Sequence, residues 1–433
     1  METHRILSLA TARRLAITKQ HLNAPRAPAT RENIFEIIRD LGCVQLDPIR
    51  AVERSHRLVV FSRVGAYDLS HFDQLIWRDK KFFEYWAHCA SIVLIEDYPI
   101  HNLMMRDYLK ADQQKFKADP AHAARFITST SAWTNRARKW IRANDELRRT
   151  ILRRIKREGA LPARAFQEDG IGTKHWVSTG WSSGRNVSRM LDFLWLSGTL
   201  MVAGREGLNK TWDLSERVLP AWTPREKLSA HDLVYRAAQK SLRALGVATP
   251  QQIQFHFTRD RYPDLKNILA ELARDQKIAR VEIQDGKRML KGEWYLHTDD
   301  LPLVEKIERG EWIGRTTLLS PFDNLICDRK RLQLLFDYDF TIEIYTPAPK
   351  RKYGYYVLSI LHDDQLIGRI DPTMDRAQKR LNVNAVYAER GAAHDAPTAR
   401  AVRDAIQELA QFLGAREIAY GKKIARAWKK FLC

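Results

Sequence analysis

Cysteines and long apolar runs are scarce in this sequence. Only four cysteines occur among 433 residues, and no two of them form a Cys-x-x-Cys pair. They stand far apart, at Cys43, Cys89, Cys327 and Cys433. This spacing argues against a structural zinc site or a disulfide framework and indicates a reducing compartment. No stretch is apolar for long enough to span a bilayer, and Met1 to Ala12 has no signal-peptide core, so we expect a cytoplasmic protein without a metal or other cofactor.

Acidic residues are in deficit. The chain has 72 lysines and arginines against 52 aspartates and glutamates, which gives a formal net charge of +20. Such a field attracts polyanions, above all a nucleic-acid backbone, which releases counterions when a protein binds it. The alternative is a basic surface that binds nothing. The usual aromatic signals of RNA-binding domains are absent, and the Gly-x-x-Gly at residues 204–207 lies between two predicted strands, so double-stranded DNA is the expected partner.

The middle of the chain shows helices followed by a short hairpin. Apolar residues recur every fourth position from Leu147 to Ile155 among arginines, which predicts an amphipathic helix with a basic face. A second helix is predicted over Val187–Leu194, followed by strands at Thr199–Ala203 and Lys210–Leu214. This order indicates a recognition helix followed by a wing, the arrangement of winged-helix DNA-binding domains.

Two further stretches follow the same plan. Between Val234 and Leu272 apolar spacing again predicts helices, and Asp285-Gly286 then provides a favoured turn between two strands. Near the start of the chain we expect helices at Ser8–Gln20 and Thr30–Leu41, with an apolar, strand-like segment at Leu58–Ser62. The sequence therefore predicts three tandem winged-helix domains.

After Glu311 the pattern changes to that of antiparallel strands. Alternation predicts strands at Phe340–Tyr345, Tyr353–Leu361 and Leu366–Ile370, with a later helix at Thr398–Leu413. We therefore predict an α+β fold, with tandem winged-helix domains and a C-terminal antiparallel β-barrel-like element with a helix. The predicted domains span residues 1–140, 141–225, 226–312 and 313–433. No heptad seam is visible, so a monomer is expected.

One local pattern, Gln45-Leu46-Asp47-Pro48, combines an amide with a carboxylate. The proline disfavours helical backbone at Asp47, so the segment is expected to be extended. Side chains of an extended segment alternate between two faces, which would turn Val44 and Leu46 to the core and place Gln45 and Asp47 together on the other face. A polar turn in which Asp47 caps the following helix is the simpler explanation, because aspartate is a common N-cap. From the residues alone, both interpretations stay open.

Two groups of basic and polar residues are candidate DNA contacts. The first follows the Gln45–Asp47 pair and comprises Arg50, Arg54, His56 and Arg63. The second lies at the start of the predicted recognition helix and comprises Arg185, Asn186 and Arg189. Exposed side chains of these types either contact phosphate or only solvate a surface. Glu53 is a candidate second acid near the pair, although an ion pair with Arg50 or Arg57 is its more ordinary role.

Three segments of the chain resemble a known family. The run Gly42–Arg63 is similar to the signature of the AlkZ-like bacterial DNA glycosylases, and so are Phe83–Ser91 and Leu319–Leu325. The similarity extends over nearly the whole chain in the same order. Members of this family carry either Gln-x-Gln or Gln-x-Asp at the centre of the first motif. Gln45-Leu46-Asp47 matches the second form, that of the YcaQ (AlkX) branch.

The resemblance implies tandem winged-helix domains around a DNA channel, with Gln45 and Asp47 as catalytic residues. It also implies DNA repair by hydrolysis of the N-glycosidic bonds of N7-alkylated purines, including the unhooking of interstrand crosslinks, on nucleoid DNA. A hairpin of the C-terminal sheet is implied to probe the minor groove. By order along the chain, the candidate turn runs through Pro349, Lys350, Arg351, Lys352 and Tyr353.

One carboxylate is enough for this chemistry. Ordinary glycoside hydrolysis uses two, one of which protonates the leaving group. A purine alkylated at N7 is already cationic, so Asp47 needs only to stabilise the charge on the deoxyribose and to orient or deprotonate water, while Gln45 holds water or sugar. No lysine stands out as an amine nucleophile, so a monofunctional glycosylase is expected. The alternative is a non-catalytic winged-helix regulator or architectural protein that only binds DNA.

Overall fold

The structure is a computed structural model that describes residues 5–108, 132–166, 174, 186–258, 261–393 and 395–432. The described helices are α1 (Leu9–Lys19), α2 (Arg31–Leu41), α3 (Ser55–Val64), α4 (Leu69–Trp77), α5 (Tyr98–Tyr108), α6 (Ala132–Ala143), α7 (Asp145–Glu158), α8 (Asn186–Leu196), α9 (Ser215–Val218), α10 (Ala230–Leu245), α11 (Pro250–His256), α12 (Leu265–Arg274), α13 (Leu301–Glu308), α14 (Arg329–Phe336), α15 (Ala396–Phe412) and α16 (Arg426–Leu432). The described strands are β1 (Arg5–Ser8), β2 (Cys43–Gln45), β3 (Phe82–Trp86), β4 (Ala90–Leu94), β5 (Leu161–Pro162), β6 (Leu200–Glu206), β7 (Asn209–Leu214), β8 (Val247–Ala248), β9 (Ile278–Asp285), β10 (Arg288–Met289), β11 (Trp294–His297), β12 (Thr316–Leu319), β13 (Leu358–His362), β14 (Gln365–Asp375), β15 (Arg380–Ala388) and β16 (Glu417–Ile424).

The chain folds into two compact units, and both are discontinuous in sequence. Unit 1 consists of Met1–Phe72, Ala238–Phe257 and Leu269–Cys433. Unit 2 consists of Asp73–Ala237 and Thr258–Ile268. The four domains predicted from the sequence are continuous segments, and their boundaries stay a prediction. Within the described ranges, no helix is both long and apolar enough to cross a membrane.

Unit 2 contains the helices and hairpin predicted for the middle of the chain. Leu147, Ile151 and Ile155 are buried along one face of α7, as their spacing predicted. After α8, strands β6 and β7 pair antiparallel, and β5 joins them in a three-stranded sheet of order β5-β7-β6. The predicted elements of this region are confirmed, with their ends shifted by a few residues.

Unit 1 begins with two helices whose first backbone N–H groups are capped by side chains. Ser8 precedes α1 and Thr30 precedes α2, and each hydroxyl accepts a hydrogen bond from the backbone N–H three residues later, at 2.9 and 3.2 Å. Strand β1 pairs parallel with β9, and the sheet continues through β11 to β8. Residues of this sheet, including the fully buried Trp294, form one core with Leu325 and Ile326. The core thus anchors the end of the Leu319–Leu325 motif.

The second sheet of unit 1 is open, so the predicted β-barrel-like element is wrong. Its strand order is β12-β13-β14-β15-β16, with β12 and β16 at the two edges. The first three pairings are antiparallel, whereas β15 and β16 are parallel. The chain reaches β16 through α15, and this helix packs on both β12 and β16. A helix therefore covers the sheet, and closure of β16 onto β12 is not needed to bury its apolar face.

Two of the predicted strands are not strands. Leu58–Ser62 belongs to helix α3, in which every residue except Arg57 is buried. A short, continuously apolar run looks the same in a buried strand and a buried helix, so periodicity could not separate them. Phe340–Tyr345 has irregular backbone, and the strand expected from Tyr353 begins only at Leu358.

Candidate active site

Strand β2 leads directly into the Gln45-Leu46-Asp47 motif. Helix α2 ends at Gly42, whose φ of 77° lies in the left-handed region that favours glycine and turns the chain into β2. Val44 is fully buried, as predicted for the core side of the strand, whereas Leu46, predicted to face the core as well, lies beyond the end of β2 and is only half-buried. Gln45 and Asp47 are both half-buried, so each keeps partial access to solvent.

The Asp47 carboxylate forms no ion pair with any residue that the structure describes. Its Oδ1 accepts a hydrogen bond from the backbone N–H of Ile49 at 2.9 Å, and the described part of the chain places no ion pair on it. Burial raises the pKa of Asp47 above its ordinary value of 3.8, and the bond from Ile49 opposes this only in part. Asp47 does not cap a helix, because α3 starts at Ser55, after Arg54. The capping interpretation is therefore wrong.

Two side chains fix the backbone on either side of Gln45. The Ser55 hydroxyl donates to the carbonyl oxygen of Gln45 at 2.7 Å, which ties the start of α3 to the end of β2. The buried Asn324 side chain donates through Nδ2 to the carbonyl oxygen of Cys43 at 2.8 Å. Asn324 belongs to the Leu319–Leu325 motif, so this motif holds the strand that carries Gln45. Sequence reasoning quoted the motif without finding this role.

Glu53 is the centre of a cluster of arginines. Arg50 donates to both of its carboxylate oxygens at 2.9 Å, the backbone N–H of Arg54 donates at 2.9 Å, and Arg57 Nη1 lies 3.8 Å away. Burial by itself would raise the pKa of Glu53, but these hydrogen bonds and charges outweigh it and hold the pKa below its usual value. The expectation that Glu53 forms an ion pair is confirmed, and it is not a second free acid.

Arg63 is wholly buried, so its predicted contact with DNA is wrong. Its guanidinium forms an ion pair with Asp323, and both side chains are 0% exposed. Arg63 Nη2 donates to Asp323 Oδ1 at 3.0 Å, and Nε donates to the carbonyl oxygen of Gln20 at 3.0 Å. Because α3 points this arginine inward, it fastens the helix to the Leu319–Leu325 motif.

The other members of the first predicted group differ in exposure. His56 is buried and its ring packs against Phe72 with centroids 5.4 Å apart, so a direct phosphate contact is not open to it. Arg50 is exposed but directs its guanidinium at Glu53. Arg54 is half-buried at the start of α3. Contacts of Arg50 and Arg54 with DNA stay predictions.

The predicted recognition helix turns its polar start inward. Asn186 and Arg189 are both buried in α8, and Arg189 pairs with Asp192 at 3.4 Å and lies over the Phe193 ring. The burial of both side chains argues against the predicted phosphate contacts. Arg185 lies outside the described residues.

The predicted probing hairpin at 349–353 does not join two strands. Its first two residues belong to a single helical turn, Ala348–Lys350, and the Glu343 carboxylate accepts the backbone N–H groups of residues 352–354 at 2.6, 2.8 and 3.1 Å. Lys350 and Lys352 are exposed, whereas Arg351 and Tyr353 are half-buried. DNA contact by these four residues stays a prediction, but their place in a hairpin turn is wrong. The long antiparallel hairpin of this sheet is β14–β15, with its turn at 376–379.

The β14–β15 hairpin contacts the loop that carries Asp47, which we call the Asp47 loop (residues 46–54). The backbone N–H of Met374 donates to the carbonyl oxygen of Ala51 at 2.9 Å. Arg376 donates to the carbonyl oxygens of Arg50, at 3.2 Å, and Val52, and its Nη2 lies 3.7 Å from Glu53 Oε2. No sequence signal singled out Arg376, which lies more than 300 residues from its partners.

Tyr356 lies beside the two carboxylates. It is buried, and its hydroxyl lies 3.2 Å from the Ser320 hydroxyl. Burial raises the pKa of Tyr356, and the negative charges of Asp47 and Glu53 raise it further. The phenol therefore stays neutral at physiological pH. In the described ranges no three histidine, cysteine, aspartate or glutamate side chains are grouped as metal ligands.

Comparison with known proteins decides the family. The family model "DNA glycosylase AlkZ-like" matches residues 38–412, from the end of α2 to the end of α15. The chain belongs to the AlkZ-like DNA glycosylases. Its fold is similar to that of the Streptomyces sahachiroi DNA glycosylase AlkZ, with a TM-score of 0.60 and 15% identity over 97% of this chain and 100% of that one. Membership of this family indicates a DNA glycosylase that acts in DNA repair. The matched residues 38–412 include the Gln45-Leu46-Asp47 motif and the Asp47 loop.

Proposed function

We propose that this AlkZ-like protein hydrolyses the N-glycosidic bond of N7-alkylated purines, including purines joined in interstrand crosslinks. Asp47 and Gln45 are the catalytic residues, in the Gln-x-Asp form of the motif. The observation that carries the proposal is the Asp47 carboxylate, which is half-buried, reachable from solvent and free of any described ion pair. A carboxylate neutralised by an arginine, as Glu53 is, would stabilise a growing positive charge far less.

The chemistry needs only these two side chains. An N7-alkylated purine carries a positive charge and departs as a neutral base, which leaves oxocarbenium-like charge on the deoxyribose. Asp47 stabilises that charge and orients or deprotonates the attacking water, and the Gln45 amide holds water or sugar without changing its own protonation. Neutral damaged bases have no such activation and are expected to be poor substrates. With no amine nucleophile, the reaction ends at an abasic site.

An open site suits crosslinked substrates. A base tethered to the opposite strand cannot swing into a deep pocket, as base flipping requires. The partial exposure of both Gln45 and Asp47 supports a shallow site that is approached along the duplex.

The DNA partner is double-stranded, and the enzyme acts as a cytoplasmic monomer on nucleoid DNA. We interpret the helix–hairpin arrangements as tandem winged-helix domains, for which the order of β5, α8, β6 and β7 in unit 2 is the clearest support. Arg50, Arg54 and the exposed Lys350 and Lys352 are candidate phosphate contacts.

The variant Asp47→Asn tests the proposal. Asparagine keeps the acceptor for the Ile49 N–H but removes the charge, so excision of N7-methylguanine from a duplex should fall by about 10²–10⁴-fold while DNA affinity stays nearly unchanged. Because the pKa of Asp47 is raised, its ionised form destabilises the fold, and the variant should melt no lower than the parent at neutral pH.

Asp68→Asn is the matched control. Asp68 accepts the N–H two residues on, from Ser70, at 2.9 Å, just as Asp47 accepts that of Ile49, but it is fully exposed. This variant should excise normally. Full turnover by Asp47→Asn would contradict the mechanism, and a parent protein that binds duplex DNA without excising would support the non-catalytic alternative. A defined nitrogen-mustard crosslink, assayed on a denaturing gel after alkaline cleavage, tests unhooking.

A further inference from the structure

The C-terminal half of the Asp47 loop is held by the β14–β15 hairpin, mainly through Arg376. Arg376, in the turn after β14, donates to the carbonyl oxygens of both Arg50 and Val52 and lies 3.7 Å from the Glu53 carboxylate. The backbone bond from Met374 to Ala51 lies beside these contacts. Three consecutive peptide groups of the loop thus accept hydrogen bonds from the same hairpin.

The loop cannot hold this conformation through regular structure of its own. Residues 46–54 lie between β2 and α3 and form neither helix nor strand. Their carbonyl oxygens at positions 50–52 are satisfied by the hairpin and not by the loop itself. Glu53 then draws Arg50, Arg57 and Arg376 to one buried carboxylate. The planar Arg376 guanidinium is hydrogen-bonded to two carbonyl oxygens and paired with one carboxylate at 3.7 Å, which leaves little freedom to the backbone that it joins.

We propose that Arg376 and Glu53 are positioning residues, which hold the Asp47 loop in the geometry that the reaction requires. The inference rests on Asp47 being the catalytic carboxylate. Loss of either residue should misplace the carboxylate without changing its chemistry. A displacement of about 1 Å at a reacting group costs on the order of 10²-fold in rate. All described partners of the Arg376 side chain belong to the Asp47 loop. Loss of this side chain should therefore lower the rate of the chemical step.

The test is a single-turnover assay with Arg376→Ala on a duplex that contains N7-methylguanine. We expect the rate constant at saturating enzyme to fall by about 10–100-fold, while the dissociation constant for the duplex changes less than about threefold. Guanidinium chloride at tens of millimolar should restore part of the rate, and sodium chloride at equal ionic strength should not. Free guanidinium can occupy the place of the missing Arg376 side chain and restore its hydrogen bonds to the loop. If Arg376 contributed only to the stability of the fold, guanidinium would not raise the rate.

Lys379→Asn is the matched control, since it removes one positive charge from the same turn. Lys379 has a φ of 50°, a conformation that asparagine tolerates, and its side chain makes no described contact with the Asp47 loop. Its rate should stay within about twofold of the parent. Equal rates for Arg376→Ala and Lys379→Asn, or a loss confined to DNA affinity, would overturn the inference.

Two further variants keep the inference testable if Arg376→Ala folds poorly. Arg376→Lys keeps the charge, but a single ammonium cannot reach both carbonyl oxygens in the fork geometry, so an intermediate rate is expected and a parental rate would refute positioning. The double variant Glu53→Gln/Arg376→Ala should lose little more than either single variant, because both act through one cluster. Full turnover by Asp47→Asn would refute the proposed function itself. Full turnover by Arg376→Ala, with Asp47→Asn inactive, would refute only the positioning role.

Discussion

The buried Arg63–Asp323 pair permits a quantitative prediction about what stabilises the site. Both side chains are inaccessible to solvent, and Arg63 also donates to Gln20, Val59 and Ser62. In Asp323→Asn the arginine keeps these neutral acceptors but loses its counter-charge. Removal of one partner from a buried ion pair costs about 3–5 kcal/mol, because the other charge stays desolvated.

The expected result is a large loss of stability with DNA contacts unchanged. Since about 1 kcal/mol lowers the melting temperature of a unit of this size by roughly 2–4 °C, Asp323→Asn should melt roughly 6–20 °C lower. Thermal unfolding followed by circular dichroism measures this shift. Glu308→Gln is the control, because its pair with Arg5 at 2.6 Å is partly exposed on both sides and should contribute about 0–1 kcal/mol.

A hydrophobic replacement separates stability from binding. In Arg63→Met/Asp323→Leu neither charge is left buried alone, so much of the lost stability should return. The dependence of DNA affinity on salt should keep its slope in this variant, whereas loss of a phosphate contact would reduce the slope by about 0.9. A reduced slope together with an unchanged melting temperature would show that Arg63 reaches DNA after all, and our account of its burial would be refuted.

Two further outcomes are expected. The excision rate should fall as the pH drops through the raised pKa of Asp47, because only the ionised carboxylate acts; a rate–pH profile that stays flat down to pH 3.8, the ordinary aspartate value, would contradict this. Gly354→Ala should lower stability by about 1–3 kcal/mol, since Gly354 has a φ of 154° and an added Cβ would overlap the Asp371 carboxylate, which accepts the N–H of Tyr355 at 3.2 Å. Chemical denaturation measures the second effect, and an unchanged midpoint would show that the loop relaxes freely.

Local patterns were enough to predict the elements that surround the site. Apolar spacing located α7 and α8, and the helices expected near the start of the chain correspond to α1 and α2. The Gln45-Leu46-Asp47 motif and the resemblance around it predicted the family, which the match over residues 38–412 confirms. Such features depend on a few neighbouring residues, so they can be read along one stretch of chain.

Roles that depend on burial or on distant partners were not predicted. Three predicted DNA contacts have side chains of the types that often bind phosphate, but these side chains are buried: Arg63, Asn186 and Arg189. The same limit affected Leu58–Ser62, whose uniform apolarity fits a buried helix as well as a buried strand. The sequence gives the charge of each side chain. Only the tertiary structure determines whether that charge is solvated, paired with a counter-ion or available to a ligand.

The sequence by itself determined the positive charge of the protein, the family and the two residues proposed for catalysis. The tertiary structure alone decided that the Asp47 carboxylate has no counter-charge within the described ranges, while Glu53, six residues later, is surrounded by arginines. It also brought Asn324 and Arg376 to the same loop from the far end of the chain. These pairings follow from desolvation and packing across long separations, and no spacing along the chain encodes them.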